Sequence, residues 1–192
     1  MIGRRRPPLL STPDSPDPRL FATRDKEDPA VRPIDATFSL VDHHGTPVTE
    51  QSYRGQWVTV FFGFTHCRVV CPRALGRLSA VLDGLGPLAE KIRPLYITVD
   101  PERDTPEVMR AFLEAGHPRF TGLTGTPERI EAAKRSFHVF ARRKDDPEDP
   151  DGYAVPHTAI TYVLSPDGEY ATHLTDGLDT ETFTERLRAA VS

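Results

Sequence analysis

Trp57-Val58-Thr59-Val60-Phe61-Phe62-Gly63-Phe64-Thr65-His66-Cys67-Arg68-Val69-Val70-Cys71-Pro72 holds both cysteines of the chain. Its first half is an apolar run rich in aromatic and β-branched residues, the pattern of a buried strand. Gly63 breaks the run and a short turn carries Cys67. Pro72 then opens a helix, because proline fits the first helical turn, where its missing N–H is not needed. Beyond it Leu75, Leu78, Leu82 and Leu85 recur at helical spacing and predict a buried face. Both thiols therefore stand where a buried strand hands over to a helix N-terminus, whose dipole and free N–H groups favour a thiolate. With residues 67–71 helical, the sulfurs lie one turn apart on one face. Their Cα atoms are then roughly 6 Å apart, within reach of a disulfide. The same geometry lets both sulfurs hold one metal ion. Core packing does not require this placement, so the pair reads as working thiols and not as structural cysteines.

Outward from this stretch, the chain alternates. On the N-terminal side, Phe38-Ser39-Leu40-Val41 predicts a strand, Asp42 to Pro47 a turn, and Val48 to Tyr53 a returning strand. His43 and His44 fall in that turn and are expected to be solvated, since adjacent histidines without other ligands are a weak metal signal. On the C-terminal side, Leu95 to Asp100 is a second strand. Thr105-Pro106-Glu107 then caps a helix whose predicted buried face is Val108, Met109, Phe112 and Leu113. Asp100, Arg103 and Asp104 are expected to form a salt-linked structural turn. Phe120 to Thr124 is a weak strand. Thr126-Pro127-Glu128 repeats the cap, and Ile130, Ala133, Phe137 and Phe140 follow at helical spacing, with His138 as a structural or solvated residue of that helix. Lys144 to Asp151 reads as a solvated acidic loop. Ala159 to Leu164 and Glu169 to Leu174 flank a Ser165-Pro166-Asp167-Gly168 turn. Asp179 or Thr180 starts a last helix with Phe183, Leu187 and Val191 inward. Strands alternating with helices and then a hairpin and a terminal helix predict an α/β fold: a thioredoxin-like sandwich, with a central mixed β-sheet flanked by helices and an N-terminal β-hairpin. The dithiol turn falls at the C-terminal rim of the parallel strands, where active sites gather.

The 192 residues allow one ordinary domain, 34–192, after a proline-rich arm, 1–33, whose polar composition predicts disorder. A net charge of −4 gives no sign of a nucleic-acid surface. Two cysteines in one motif are not a secreted disulfide framework. Arg4, Arg5 and Arg6 are followed by only Leu9 and Leu10 before Ser11, so no signal peptide is expected. No apolar run approaches the roughly 20 residues of a membrane span. The expectation is either a cytosolic protein or one with an anchor upstream.

Three motifs carry a resemblance. Gly63-Phe64-Thr65-His66-Cys67-x-x-x-Cys71-Pro72, Val99-Asp100-Pro101-Glu102-Arg103-Asp104-Thr105-Pro106 and His157 before the late strand stand in the order of the Sco/SenC family of copper chaperones. The resemblance runs from about Phe38 to the C-terminus. It implies a thioredoxin-like fold, copper held by Cys67, Cys71 and His157, and assistance in maturing the copper centre of cytochrome c oxidase. The implied partners are the copper-site subunit of that oxidase or another copper-accepting protein, with a thiol reductant. The implied location is the periplasm or a membrane surface. His66 is implied to lie near the site without ligating. Two thiolates and an imidazole form a soft set suited to Cu(I), and Cu(II) can use it too. Zinc is the rival, though a closed zinc site takes four ligands and no fourth is evident.

The chain departs from the family pattern at Arg68-Val69, where Pro-Asp is common, and at Pro156, where an acid is usual. Arg68 stabilises thiolates but repels a cation, and Pro156 resembles the cis-proline that faces the cysteines of thioredoxins. These departures keep a second function open, a thiol-disulfide oxidoreductase in which Cys67 attacks and Cys71 resolves. A thiol peroxidase is the weaker third, since it needs an activated cysteine beside a suitably placed arginine.

Overall fold

The computed structural model describes residues 33–192. The arm expected over residues 1–33 lies outside the described residues apart from Pro33, and Ile34–Ser192 forms one compact unit. In chain order the unit holds β1 (Ser39–Asp42), β2 (Pro47–Thr49), β3 (Trp57–Gly63), α1 (Val70–Leu85), β4 (Ile92–Thr98), α2 (Pro106–Gly116), β5 (Thr121–Thr124) and α3 (Pro127–Ser136). There follow the short pair β6 (Lys144–Asp145) and β7 (Tyr153–Ala154), then β8 (Ile160–Leu164), β9 (Tyr170–Thr175) and α4 (Thr180–Val191).

The seven-stranded sheet runs β2-β1-β5-β4-β3-β8-β9. Its centre is parallel, β3 beside β4 and β4 beside β5, while β1 and β8 join it antiparallel. β3 has neighbours on both edges, and Val58, Val60, Phe61 and Phe62 are all buried. That is why its sequence is a continuous apolar run and not an alternating one. α1 packs on α4, α2 on β5 and α3 on β1. Leu75, Leu78, Leu82 and Leu85 are buried as the helical spacing predicts, and so are Phe183, Leu187 and Val191. Thr105, Thr126 and Asp179 each accept a backbone N–H from the first helical turn, as their positions before Pro106, Pro127 and Thr180 require. Gly168, at φ 82°, turns the β8–β9 hairpin where a side chain would be strained.

Several expectations need correction. The returning strand of the first hairpin ends at Thr49 and becomes a single 3-10 turn over Glu50–Tyr53. α3 stops at Ser136, and His138 takes a left-handed φ of 55°. Helical spacing cannot be counted across that residue, so Phe140 is not inward but 66% exposed. Val108 is 37% exposed, because Met109 and Leu113 carry the contact of α2 with β5. His43 is buried, not solvated: its Nδ1 accepts the Gly122 N–H at 2.8 Å, and its own N–H donates to the Gly122 carbonyl at 2.9 Å. The imidazole thus extends the β1–β5 seam, and burial lowers its pKa, which keeps it a neutral acceptor. A contact across 79 residues has no local signature in the sequence.

A candidate dithiol and imidazole centre

The site is assembled at the C-terminal ends of β3 and β4. β3 ends at Gly63, whose carbonyl accepts the Val99 N–H at 2.8 Å, so the two strand ends stay in register to the rim. The chain then turns through Phe64-Thr65-His66 into Cys67, and α1 begins at Val70. Pro72 is the third residue of that helix, still within the turn that needs no donor. Cys67 lies just ahead of the helix and is partly exposed, while Cys71 is fully buried in its first turn. The Cys71 N–H points at the Cys67 sulfur at 3.4 Å.

This geometry divides the two thiols chemically. Hydrogen bonding from the Cys71 thiol, helped by backbone N–H groups of Cys71, Val69 and Val70, pulls the Cys67 pKa down to about 5. The same pair interaction, then burial, pushes Cys71 well above the usual thiol range. Cys67 is the thiolate and Cys71 the thiol that supports it. Because the Cys67 pKa is depressed, its anionic form persists above about pH 5. Alkylation of the reduced protein is therefore expected to rise through that pH, level off below neutrality, and label Cys67 alone. An ordinary thiol keeps gaining rate up to about pH 8.5. Stopped-flow alkylation with peptide mapping checks this, and a rate still climbing between about pH 7 and 9 contradicts it.

His157 arrives from the other side. The Ala141–His157 bridge, with Arg142 N–H to Pro156 O at 3.1 Å and Thr158 N–H to Phe140 O at 2.9 Å, pins its segment against residues 140–142. Its Nδ1 lies 2.9 Å from the Val155 carbonyl, which can only accept, so Nδ1 carries the proton. That leaves Nε2 as the acceptor nitrogen, facing the Cys71 sulfur at 3.7 Å. Phe61 and Phe64 stand edge-on to the ring at 6.3 and 5.8 Å and fix its plane. So β3, α1 and the segment before β8 bring Cys67, Cys71 and His157 into one neighbourhood. Among the described residues, no group of three or more His, Cys, Asp or Glu side chains is placed so as to hold a metal ion. The Val155–Pro156 peptide is trans, unlike the thioredoxin proline that Pro156 resembles.

The second motif has a different task from the one its sequence suggested. Arg103 and Asp100 do form the expected salt link, but Asp104 is not part of it. Its fully buried carboxylate accepts the Thr65 N–H at 3.1 Å, the Thr65 hydroxyl at 2.6 Å and the Thr98 hydroxyl at 2.7 Å. Asp104 thus anchors the turn that carries Cys67 to the end of β4. Burial raises its pKa, and the Thr65 and Thr98 donors oppose that rise. Asp104 stands 39 residues from Thr65, so local pattern could not reveal the partnership.

The acidic loop also needs correction, since it is tied down and not merely solvated. Asp149 is buried and meets Arg103 at 3.1 Å, while Asp151 meets Arg103 at 3.2 Å. Arg103 lies over the Tyr153 ring at 3.8 Å, and the Tyr153 hydroxyl donates to Asp100 at 3.2 Å. Arg68 hydrogen-bonds the Glu148 carbonyl and sits 3.9 Å from Asp149. These contacts hold its guanidinium against this loop. His66 bridges toward Asp151 at 3.9 Å and shares Thr65 Oγ1 at 3.0 Å.

A dithiol at a helix N-terminus, at the rim of a mixed sheet and faced by a histidine from the segment before a late strand, defines a thioredoxin-like domain. The SCO1/SenC family model matches residues 26–192, and the chain belongs to that family. It is 41% identical over 153 residues to the mitochondrial SCO2 homolog of Bos taurus, covering 79% of this chain and 57% of that protein. It is 42% identical over 135 residues to the mitochondrial SCO1 homolog of Mus musculus, covering 69% of this chain and 47% of that protein. The chain spans about half the length of the curated relatives it matches. Among solved structures, it resembles copper-bound ScoI of Arabidopsis thaliana, with TM-score 0.77 and 33% identity over 82% of this chain and 98% of that one. Copper-bound ScoI of Bradyrhizobium japonicum is similar too, with TM-score 0.72 and 36% identity over 82% and 99% of the two chains. No helix of the described residues is long and apolar enough to cross a membrane.

Proposed function

We propose that this chain is a copper-delivery protein that assists maturation of the copper centre of cytochrome c oxidase, carrying the ion on Cys67, Cys71 and His157. One observation carries the reading: the His157 Nε2 is the acceptor nitrogen and faces the Cys71 sulfur, because Nδ1 is held by the Val155 carbonyl. A hydrogen-bonded imidazole of this kind is the usual form of a metal-ligating histidine. Two sulfurs and one nitrogen suit a soft monovalent ion in three coordination, whereas structural zinc takes four ligands. Copper is cargo here, so partial exposure of Cys67 serves transfer. The similar ScoI proteins of A. thaliana and B. japonicum were solved with copper bound. The partner is the copper-site subunit of the oxidase, or another copper-accepting protein, and a thiol reductant keeps the cysteines loadable. The compartment is the periplasm or a membrane surface.

The thiol-disulfide oxidoreductase reading uses the same split between Cys67 and Cys71, but it asks of His157 only that it tune the thiols, not that its Nε2 be available as a ligand. Enzymatic activity is therefore secondary to carriage. Anaerobic reconstitution of the reduced chain with Cu(I), Cu(II) and Zn(II), followed by metal analysis, tests the proposal. The expected result is one copper per chain, none after mild oxidation to the Cys67–Cys71 disulfide, and none for the Cys67→Ser/Cys71→Ser variant. Tight copper binding by that variant would refute the site.

A further inference from the structure

Tyr96 lies on β4 in register with Phe61. Its ring is fully buried between Phe61 at 6.3 Å and Phe112 at 6.0 Å, both roughly parallel to it. Its hydroxyl oxygen is also buried and makes no well-formed hydrogen bond, with the Cys71 thiol as a weak neighbour. Phenylalanine would fill the same space without that cost, so the hydroxyl calls for a physical reason.

The neighbourhood of Gly63 supplies one. A methyl group on Gly63 would stand 2.6 Å from the Tyr96 hydroxyl oxygen and 2.8 Å from the Cys71 sulfur. The oxygen and the sulfur therefore border one small space above Gly63, and their separation cannot exceed the sum of those distances. Glycine at 63 leaves that space open.

In the unloaded protein Cys71 is a neutral thiol, a weak acceptor. When the metal–sulfur bond forms, Cys71 gives up its proton, which leaves to solvent, and the sulfur takes on anionic character. We infer that Tyr96 is a positioning residue of the copper site, its hydroxyl donating a hydrogen bond to the Cys71 sulfur in the loaded state. The inference rests on the copper reading above. A donor on a ligating sulfur withdraws electron density from the metal–sulfur bond and tunes the potential of the bound metal. Loading also turns the weak thiol neighbour of that hydroxyl into a strong anionic acceptor.

Tyr96→Phe removes the oxygen and keeps the ring. The test compares wild type and Y96F, as full chains, in three ways. In the Cu(II) form, the sulfur-to-copper charge-transfer band of Y96F is expected at lower energy and the Cu(II)/Cu(I) potential is expected to fall. In the Cu(I) form, affinity measured by chelator competition is expected to drop about tenfold, the weight of a hydrogen bond to a charged group. In the unloaded form, Y96F is expected to melt at a higher temperature, since a buried polar atom without a well-formed hydrogen bond is gone. A merely structural hydroxyl would move the melting temperature and leave the band where it is. An identical band and affinity in the two proteins overturn the inference while leaving the copper reading intact. A wild-type chain that loads no copper overturns both.

Discussion

Replacing His157 with alanine is expected to weaken copper binding by at least the roughly 10–100-fold that follows loss of a supporting group around a metal, because the proposed function makes His157 a ligand itself. The expectation follows from the orientation of the ring. Its Nδ1 is committed to the Val155 carbonyl, its plane is held by Phe61 and Phe64, and its Nε2 faces the Cys71 sulfur at 3.7 Å. Alanine leaves two sulfurs and an open position that water fills poorly for a soft ion. The two cysteines belong to a different segment, so the variant should still form the Cys67–Cys71 disulfide. Competition against a Cu(I) chelator gives the affinity, and thiol trapping gives the disulfide. Binding in the wild type should also weaken in acid, since protons compete with the metal for thiolate and imidazole. An unchanged affinity together with a shifted Cys67 alkylation profile would overturn the carrier and favour the oxidoreductase.

Asp104→Ala is expected to cost about 3 kcal/mol or more of folding stability, the range for leaving several buried donors without an acceptor. The carboxylate collects the Thr65 N–H, the Thr65 hydroxyl and the Thr98 hydroxyl, and of these only the Thr65 hydroxyl has another side chain in reach, His66 Nδ1 at 3.0 Å. The damage is local as well as global, because Thr65 sits two residues before Cys67. A loosened turn moves the Cys67 sulfur away from the Cys71 N–H, so the alkylation plateau should shift toward higher pH. Urea unfolding followed by the fluorescence of Trp57, the single tryptophan, measures the stability. A loss below about 1 kcal/mol would show that the turn does not depend on this anchor. The pKa of Asp104 is raised in the fold, so the charged form is the one that burial disfavours. Its net contribution to stability is therefore fullest at low pH and declines as pH rises through the folded value. Part of the wild-type margin over Asp104→Ala should disappear over that rise.

The cysteine turn, the caps and the central strand were legible because each is a local device. A proline at a first helical turn, a threonine before it and an unbroken apolar run act within a few residues of themselves. The burial of Leu75, Leu78, Leu82 and Leu85 follows from the same kind of evidence. Readings failed where a residue's partner was distant in the chain. His43 seemed a turn residue until the β1–β5 seam brought Gly122 to it. Asp149 looked solvated until Arg103, 46 residues earlier, reached it. Phe140 was counted inward by a periodicity that His138 interrupts with one left-handed residue.

The sequence by itself determined that this is a mixed α/β protein with two working thiols at a strand-to-helix turn, and the spacing of its three motifs carried the family. Tertiary structure alone decided how the thiols differ and what stands around them. The low pKa of Cys67 depends on where the Cys71 N–H and thiol point. The availability of the His157 Nε2 depends on a carbonyl two residues away and on the sheet that presents it to Cys71. The orientation of Arg68 depends on a loop 80 residues downstream. Hydrogen bonds and charge interactions fall off over a few ångströms, whereas the chain separates these groups by tens of residues. Only the fold supplies those distances, and with them the difference between two cysteines and a dithiol faced by an imidazole.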